Sequence, residues 1–454
     1  MKLILLALSL VGLLTACSTV AASSTSAAVD TYAPVTGASP LPESLLGFSV
    51  NVQSINYRAV VNRFTHAVTL YLPPGTNVTS LTPSLSMATG VTATPSGAQD
   101  FTSPVTYKLS DGTSYTVTVN LTVPTAAQVN TWLGTGINLG NDLDAWPGDE
   151  GSWTQGVVAQ KTFFDDYKNL GFSSVRIPIT WGMAANPSDR LSDTSPFSVN
   201  PAFMARVDQV AGWGIDAGLT VVINAHHENW IRTLTGAAMT AQLPRFEALW
   251  TQIAQHFAGW PPQLVFEILN EPQPPSGSST GGMTNADLKV LNQDILNIIR
   301  KYDPTRVVIV GADQWNSLSS LVSGTFSLPS DPAAGGPYLI ATFHNYMPWS
   351  FAGQSSGTWG SSSDIASMKA QLDVAAAWGK QNNVPIYMGE YGVTHQYNGT
   401  STDPASRITW YTQVTQLARA DGISMALWDD YGDFKLYDRV NRTFESTVLK
   451  AVNP

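Results

Sequence analysis

Val265-Phe266-Glu267-Ile268-Leu269-Asn270-Glu271-Pro272 is an apolar run that ends in a carboxylate set directly before a proline. A short apolar segment closed by a residue that lacks a backbone donor reads as a buried strand stopping at Glu271. Ile386-Tyr387-Met388-Gly389-Glu390-Tyr391-Gly392 is a second mainly apolar run and carries a second glutamate at its end. Around these two the pattern recurs, with strands expected at Gly136-Leu139, Ser174-Ile179, Leu219-Ala225, Leu264-Asn270, Arg306-Gly311, Leu339-Asn345, Pro385-Glu390 and Ser424-Trp428, most followed by helix-like stretches. Strands and helices alternating in this rhythm predict an α/β fold, a (β/α)8 TIM barrel over 125–454, in which functional side chains sit where strands end and loops begin.

The residues before the barrel have a different texture. Positions 45–124 hold short period-two runs such as Ala67-Val68-Thr69-Leu70-Tyr71-Leu72 and Tyr115-Thr116-Val117-Thr118-Val119, separated by Pro-Pro-Gly, Ser-Gly and Asp-Gly turns. These predict a small all-β sandwich. Asp100-Phe101-Thr102-Ser103-Pro104-Val105-Thr106-Tyr107 with Asp111-Gly112-Thr113 resembles bacterial immunoglobulin-like modules, and with no aromatic platform in view the module is expected to act as a spacer. Residues 18–44 are rich in Ser, Thr, Ala and Pro and are expected to form a flexible linker. Met1-Lys2 followed by the apolar run Leu3 to Leu14 has the layout of an export signal. Leu14-Thr15-Ala16-Cys17 resembles a bacterial lipobox, which implies removal of the signal and lipidation at Cys17, the single cysteine of the chain. The expectation is an exported protein, lipid-anchored at the cell envelope, on the outer membrane or cell surface, or else secreted.

Composition narrows the partners. With 33 acidic against 23 basic residues the formal charge is −10, and no Lys/Arg run of the kind that neutralises phosphates is present. That argues against nucleic acid. Two carboxylates from separate strand ends are what cleavage of a glycosidic bond requires, one to donate a proton and one to attack or to activate water. Glu271 and Glu390 lie 119 positions apart, so only the fold can bring them together.

From about Trp132 to Asn453 the chain resembles glycoside hydrolase family 5. The residues carrying the resemblance are Arg176 in Val175-Arg176-Ile177-Pro178, His226 in Asn224-Ala225-His226-His227-Glu228-Asn229, the pair Asn270-Glu271, His344 and Tyr346 in Phe343-His344-Asn345-Tyr346, Glu390, and Trp428 in Ala426-Leu427-Trp428. The resemblance implies a retaining endo-acting hydrolase of β-1,4-glucan of the cellulase type, with Glu271 as acid/base and Glu390 as nucleophile about 5 Å apart. It implies no cofactor. Asn141 and Asp144 resemble positions that touch distal sugars in some members.

The residue chemistry supports separate roles. Arg176 is a fixed cation whose proximity would favour an ionised Glu390, whereas Glu271 is expected to hold its proton near neutral pH. Asn270 offers an amide to a sugar 2-hydroxyl. His344 and Tyr346 share strand parity and are expected to point into the barrel mouth, the phenol toward Glu390. Trp428 offers a flat face for stacking. Each has a structural alternative: an ion-pair partner for Arg176, a core position for His344, packing for Trp428. Glu267 shares the parity of Glu271 one pleat deeper and reads as a buried structural carboxylate. His226 and His227 are adjacent on an expected strand and should face opposite sides, which argues against a metal held by both. Among Trp146, Trp153, Trp181, Trp230, Trp349 and Trp359 some are expected to pave a cleft and others to fill core. Mannan, xyloglucan and mixed-linkage glucan stay open as substrates, as do a transglycosylase and a non-catalytic glycan-binding protein; the chain is expected to act as a monomer.

Overall fold

The computed structural model describes residues 31–182, 190–275, 278, 281–333 and 335–454. The expected export signal, Cys17 and the first part of the linker lie outside the described residues. The barrel strands are β1 (Thr135–Asn138), β2 (Ser174–Ile177), β3 (Thr220–Asn224), β4 (Leu264–Glu267), β5 (Val308–Gly311), β6 (Leu339–Asn345), β7 (Ile386–Tyr391) and β8 (Ser424–Leu427). They pair in parallel, and β8 closes on β1. All eight expected strands are present. β2, β3 and β4 stop two, one and three residues early, respectively, because the last residues of those runs leave the ladder to form the mouth.

Period-two alternation sorts each strand between an outer apolar face and the barrel interior. Val175, Ile177, Val221, Ile223 and Phe266 pack outward against the helices. Inside, Val222, Val265, Ile309, Ile340, Tyr387 and Ala426 form a dry layer. The helix Ala126–Leu133 plugs it from below through Ala126, Val129 and Leu133. That helix starts where Thr125 and Gln128 form a reciprocal capping box. Above the dry layer, Asn138, Arg176, Asn224 and Glu267 make a polar one, all at 0–1 % exposure.

Residues 45–123 form two sheets, one ordered Ile55–Arg58, Leu45–Val52, Pro83–Met87, the other Val60–Val61, Ala67–Tyr71, Ser114–Asn120, Val105–Leu109, Ala93–Thr94. Phe48, Val50, Leu70, Tyr107, Tyr115 and Val117 fill the space they enclose. This all-β unit sits against segments that precede barrel strands, on the side away from the strand ends that carry the site. Arg58 donates its backbone N–H to Gly259 O at 2.9 Å, its guanidinium lies 4.5 Å over Trp260, and it pairs with Asp216 at 2.7 Å. Arg63 is buried, donating from Nε to Asp165 Oδ1 at 2.6 Å and from Nη1 to Trp213 O at 2.8 Å.

The expectation of a flexible linker over 18–44 needs correcting for its described part. Tyr32–Pro34 is a strand antiparallel to Thr443–Glu445. Tyr32 Oη donates to Lys435 O at 2.8 Å, Asn169 Nδ2 to Ala38 O at 3.1 Å, and Leu41 N to Arg63 O at 2.8 Å; Glu43 pairs with Lys161. Backbone pairing with an exposed strand edge needs no apolar composition, so the Ser/Thr/Ala-rich sequence hides it. Among the described residues no helix is long and apolar enough to cross a membrane.

Arg63→Met removes the cation that compensates buried Asp165. A loss of about 3 kcal/mol is expected, because breaking a buried pair strands the other charge. Residues 45–124 contain no tryptophan, so fluorescence reports the barrel alone. In urea the variant should lose far-UV circular dichroism before tryptophan emission shifts, whereas coincident and unmoved transitions would contradict the docking described here.

Candidate active site

The polar layer converges on one buried guanidinium. Arg176, at 0 % exposure, donates from Nε to Glu267 Oε2 at 2.7 Å, from Nη1 to Asn138 Oδ1 at 2.9 Å and to Glu390 Oε1 at 2.8 Å, and from Nη2 to Asn270 Oδ1 at 2.7 Å. Four partners from β1, β4, its trailing loop and β7 thereby fix one another. Tyr346 Oη donates to the second oxygen of Glu390, Oε2, at 2.9 Å. His344 Nδ1 lies 2.8 Å from Glu271 Oε1 and 3.5 Å from Glu390 Oε2. An oxygen of Glu271 and one of Glu390 lie within 4.8 Å of each other. Both open into a cavity of about 1120 Å³ that His226, His227, Tyr346 and Trp428 also line.

Glu390 reaches this place through a bulge. Tyr387 faces the barrel interior, so strict alternation would turn Gly389 inward and Glu390 outward. The register between β6 and β7 shifts after Phe343, pairing His344 with Glu390. Gly389 is the extra residue, and a Cβ there would stand 3.0 Å from Thr342 Oγ1 and 3.2 Å from His344 Nε2. Glu271 is presented by a different device: it holds φ +44, a conformation that L-residues adopt at a cost of about 1–2 kcal/mol.

Charge balance in the mouth departs from expectation at Glu271. Burial pushes its carboxyl upward, but the hydrogen bond with His344 and the charges of His344 and Arg232 outweigh it, and the net shift is downward. His344 moves the other way. Burial disfavours the imidazolium, yet the charge of Glu390 and the hydrogen bond and charge of Glu271 raise it above its ordinary value. In the free protein the proton therefore rests on the His344 side of the pair, and Glu271 is its anionic partner.

The reasoning that set His226 and His227 on opposite faces also fails. β3 ends at Asn224, so the two histidines lie in the loop beyond it, where alternation no longer applies, and their rings are 4.4 Å apart. Their Nε2 atoms lie 4.0 and 3.6 Å from Asp144 Oδ2. That spacing would suit a cation, but the donors behind the rings do not. Asn224 Nδ2 donates to His226 Nδ1 at 3.1 Å, and Arg232 Nη2 to His227 Nδ1 at 3.2 Å. Burial pushes both imidazoles down toward neutrality; the proton of His227 sits on Nε2 and faces Asp144, whereas His226 meets an amide nitrogen at each ring nitrogen, Asn270 Nδ2 lying 3.4 Å from Nε2. His227 presents an N–H donor, and the guanidinium of Arg232 and the amides around His226 oppose a bound cation. Trp428 stacks over His226 at 4° and 6.1 Å.

Residues 135–433 match the family described as Cellulase (glycosyl hydrolase family 5). The chain belongs to this family. Residues 45–123 match a second family, described as SGBP, N-terminal. Endoglucanase H of Acetivibrio thermocellus is 36 % identical over 329 residues, covering 71 % of this chain and 33 % of the relative. Endoglucanase A of Clostridium longisporum is 31 % identical and covers 67 % of this chain and 59 % of its own length. The chain thus spans less than two thirds of these curated relatives. The crystal structure of endoglucanase Cel5A from Thermotoga maritima is 32 % identical with a TM-score of 0.63, covering 72 % of this chain and all of that one. The same enzyme has been solved with cellobiose and with mannotriose.

Within this family 5 barrel, the remaining sequence candidates take distinct places. Asn141 is half-buried and spends its amide on Asp430 O at 2.9 Å, joining the loops after β1 and β8. Asp144 is buried beneath the two histidines. Glu267 is fully buried and bonded to Arg176 and Asn224. Of the tryptophans, Trp181, Trp230 and Trp359 are buried, Trp146 and Trp153 stand near His227, and Trp349 is exposed on the cavity rim. Two residues were missed. Asn138 donates to Gly389 O and Leu427 O, both at 3.0 Å, tying β1 to β7 and β8 as well as to Arg176; its inward parity at a strand end was the available signal. Arg232 sits on the four-residue helix Asn229–Arg232, outside the strand rhythm, and left no signal.

The raised His344 depends on the two carboxylates. Its imidazole should titrate above its ordinary value in the native protein, and Glu271→Gln should lower it, as read from ¹⁵N-detected histidine shifts across pH. An unchanged midpoint in the variant would refute the shared-proton arrangement.

Proposed function

We propose that this protein is a retaining glycoside hydrolase that cleaves β-1,4-linked glucan internally, with Glu390 as nucleophile and Glu271 as acid/base. The observation that carries the reading is the approach of the two carboxylates to within 4.8 Å. Retaining enzymes hold their carboxyl groups about 5 Å apart for direct attack, whereas inverting ones need roughly 6.5–9.5 Å to admit a water. The endoglucanase names of the relatives support glucan as the substrate. A mannotriose complex of a similar structure supports mannan as a second substrate.

The steps follow from the contacts. Arg176 and Tyr346 hold both oxygens of Glu390, orienting it toward the anomeric carbon and dispersing its charge before attack. A bound sugar chain displaces water, and a charge-separated Glu271–His344 pair becomes less favourable than a neutral one. The proton moves from His344 Nδ1 to Glu271 and on to the glycosidic oxygen, as C1 leaves that oxygen and bonds to Glu390. Glu271 then takes a proton from water, whose oxygen attacks C1 and releases Glu390. Asn270 and His227 offer N–H groups to sugar hydroxyls, and Trp428 offers its ring face. Each turnover consumes one water and needs no other reactant.

Glu390→Ala and Glu271→Ala should each reduce hydrolysis of soluble cellulose derivatives by about 10³-fold or more, with Glu271→Ala spared on substrates whose leaving group needs no proton. Proton NMR of the first product should show the β-anomer, and an α-product would overturn retention. A wild-type protein that binds the glucan and never cleaves it would make this a binding protein. His344→Asn removes the group that keeps the pair protonated above the ordinary imidazole range, so the basic limb of kcat/KM should move to lower pH.

Gly389→Ala tests the bulge. The added methyl presses on His344 and Thr342, and a displacement of the order of 1 Å in the site is expected to cost about 10²-fold in kcat/KM, with far-UV circular dichroism unchanged. Retention of full activity would show that the close approach at position 389 does not position the reacting pair.

A further inference from the structure

Arg232 is a buried cation whose hydrogen bonds all go to neutral groups. Only 4 % of it is exposed, at the end of the short helix Asn229–Arg232 that follows β3. Its Nε donates to Asn229 Oδ1 at 2.7 Å, its Nη1 to His226 O at 3.2 Å and its Nη2 to His227 Nδ1 at 3.2 Å. Among the described residues no carboxylate forms an ion pair with it, whereas Arg176 is shared by Glu267 and Glu390. Burying a guanidinium without a direct counter-ion is costly. Neutral acceptors of this kind need no charge on their donor, so the charge has its use elsewhere.

Its position shows where. Gln273, two residues past Glu271, donates its backbone N–H to Arg232 O at 3.1 Å, which ties the short helix to the loop that carries Glu271. His227, on which Nη2 rests, lines the same cavity as Glu271. Burial pushes the guanidinium down from its ordinary value, and the charges of Glu271, Glu228 and Glu390, in that order, oppose this. An arginine keeps its proton in a protein, so this cation is permanent.

The other groups that face Glu271 change or lose their charge as the reaction proceeds. They are His344 and Tyr346 of β6, Glu390 of β7 and His227 beyond β3. Once the leaving group has departed, Glu390 is an ester and His344 has passed on its proton. Burial holds Tyr346 protonated and His227 neutral. Arg176 keeps Glu267 as its partner. Among the described residues, Arg232 is then the one cation beside Glu271 without a carboxylate of its own.

We propose that Arg232 is a positioning residue for the second half of the reaction, its charge holding Glu271 in the base form while water attacks the glycosyl-Glu390 ester. The inference rests on the double-displacement reading above. In this step the water oxygen bonds to C1, and the bond from C1 to Glu390 breaks with its electron pair returning to the carboxylate. The water proton goes to Glu271, which must be an anion to receive it.

The test uses the full chain and 2,4-dinitrophenyl 2-deoxy-2-fluoro-β-cellobioside, whose leaving group departs without a proton and whose fluorine slows the second step enough to trap glycosyl-Glu390. Excess reagent is removed and the return of activity is followed across pH. That return is first-order, so its rate does not depend on the folded fraction. In the native protein it should slow at low pH as Glu271 takes up a proton. Arg232→Gln keeps N–H donors and removes the charge; its acid limb should move up by about one pH unit, making reactivation on the limb about tenfold slower. Arg232→Lys keeps the charge with different donors and should return the limb to its native place. An unmoved limb in Arg232→Gln overturns the proposal and leaves the hydrolase reading standing, as does a limb displaced equally in both variants. A native protein that the reagent never traps overturns the double-displacement reading and this inference with it.

Discussion

Arg176 carries a full charge at a place with no access to water, and the rest of the site is arranged around that fact. An unpaired guanidinium there would cost several kcal/mol, so the barrel supplies acceptors from β1, β4, the loop after β4, and β7. Because each acceptor comes from a different part of the chain, the charge acts as a gauge of closure: the four meet only when the barrel is complete. The same requirement places Glu390. One of its oxygens compensates Arg176, and the other remains for Tyr346 and for chemistry. Glu267 takes the second share of the charge from below, which leaves Glu390 without the whole burden of neutralising the cation.

Glu390 and Glu271 are exposed to the cavity by opposite means. A bulge at Gly389 inserts one residue and turns Glu390 inward, whereas a left-handed backbone angle turns Glu271 out of the direction its strand was taking. Both devices break the regularity that makes the barrel stable, and both occur toward the mouth, the bulge near the end of β7 and the left-handed residue beyond the end of β4. The dry layer and the plugging helix lie beneath, where regular packing is undisturbed. Stability and irregularity are thus stacked in layers along the barrel axis, which lets local strain persist at the mouth.

That layering also explains what was legible in the sequence. The eight strands were visible because their outer faces are apolar at period two. Glu271 and Glu390 stood out because each closes such a run. The errors fall where the period ends. His226 and His227 were assigned opposite faces by extending β3 past Asn224, and the loop instead brings them together. The lowered Glu271 arises from Arg232 and His344, which come from a short helix and a separate strand, so no single segment of sequence contains the cause. Tyr32–Pro34 was hidden for another reason: an added edge strand is held by backbone groups, to which composition is nearly blind.

The placement of the all-β unit limits what it contributes to the cleft. Its contacts with Asp165, Asp216, Gly259 and Trp260 all lie on segments that enter barrel strands, whereas the reacting carboxylates stand where strands end. A side chain of the unit cannot line the cleft without abandoning those contacts. The described chain before it, by contrast, begins beside the loop after β8, where Tyr32 bonds Lys435 O, and runs past Asn169 to reach the unit.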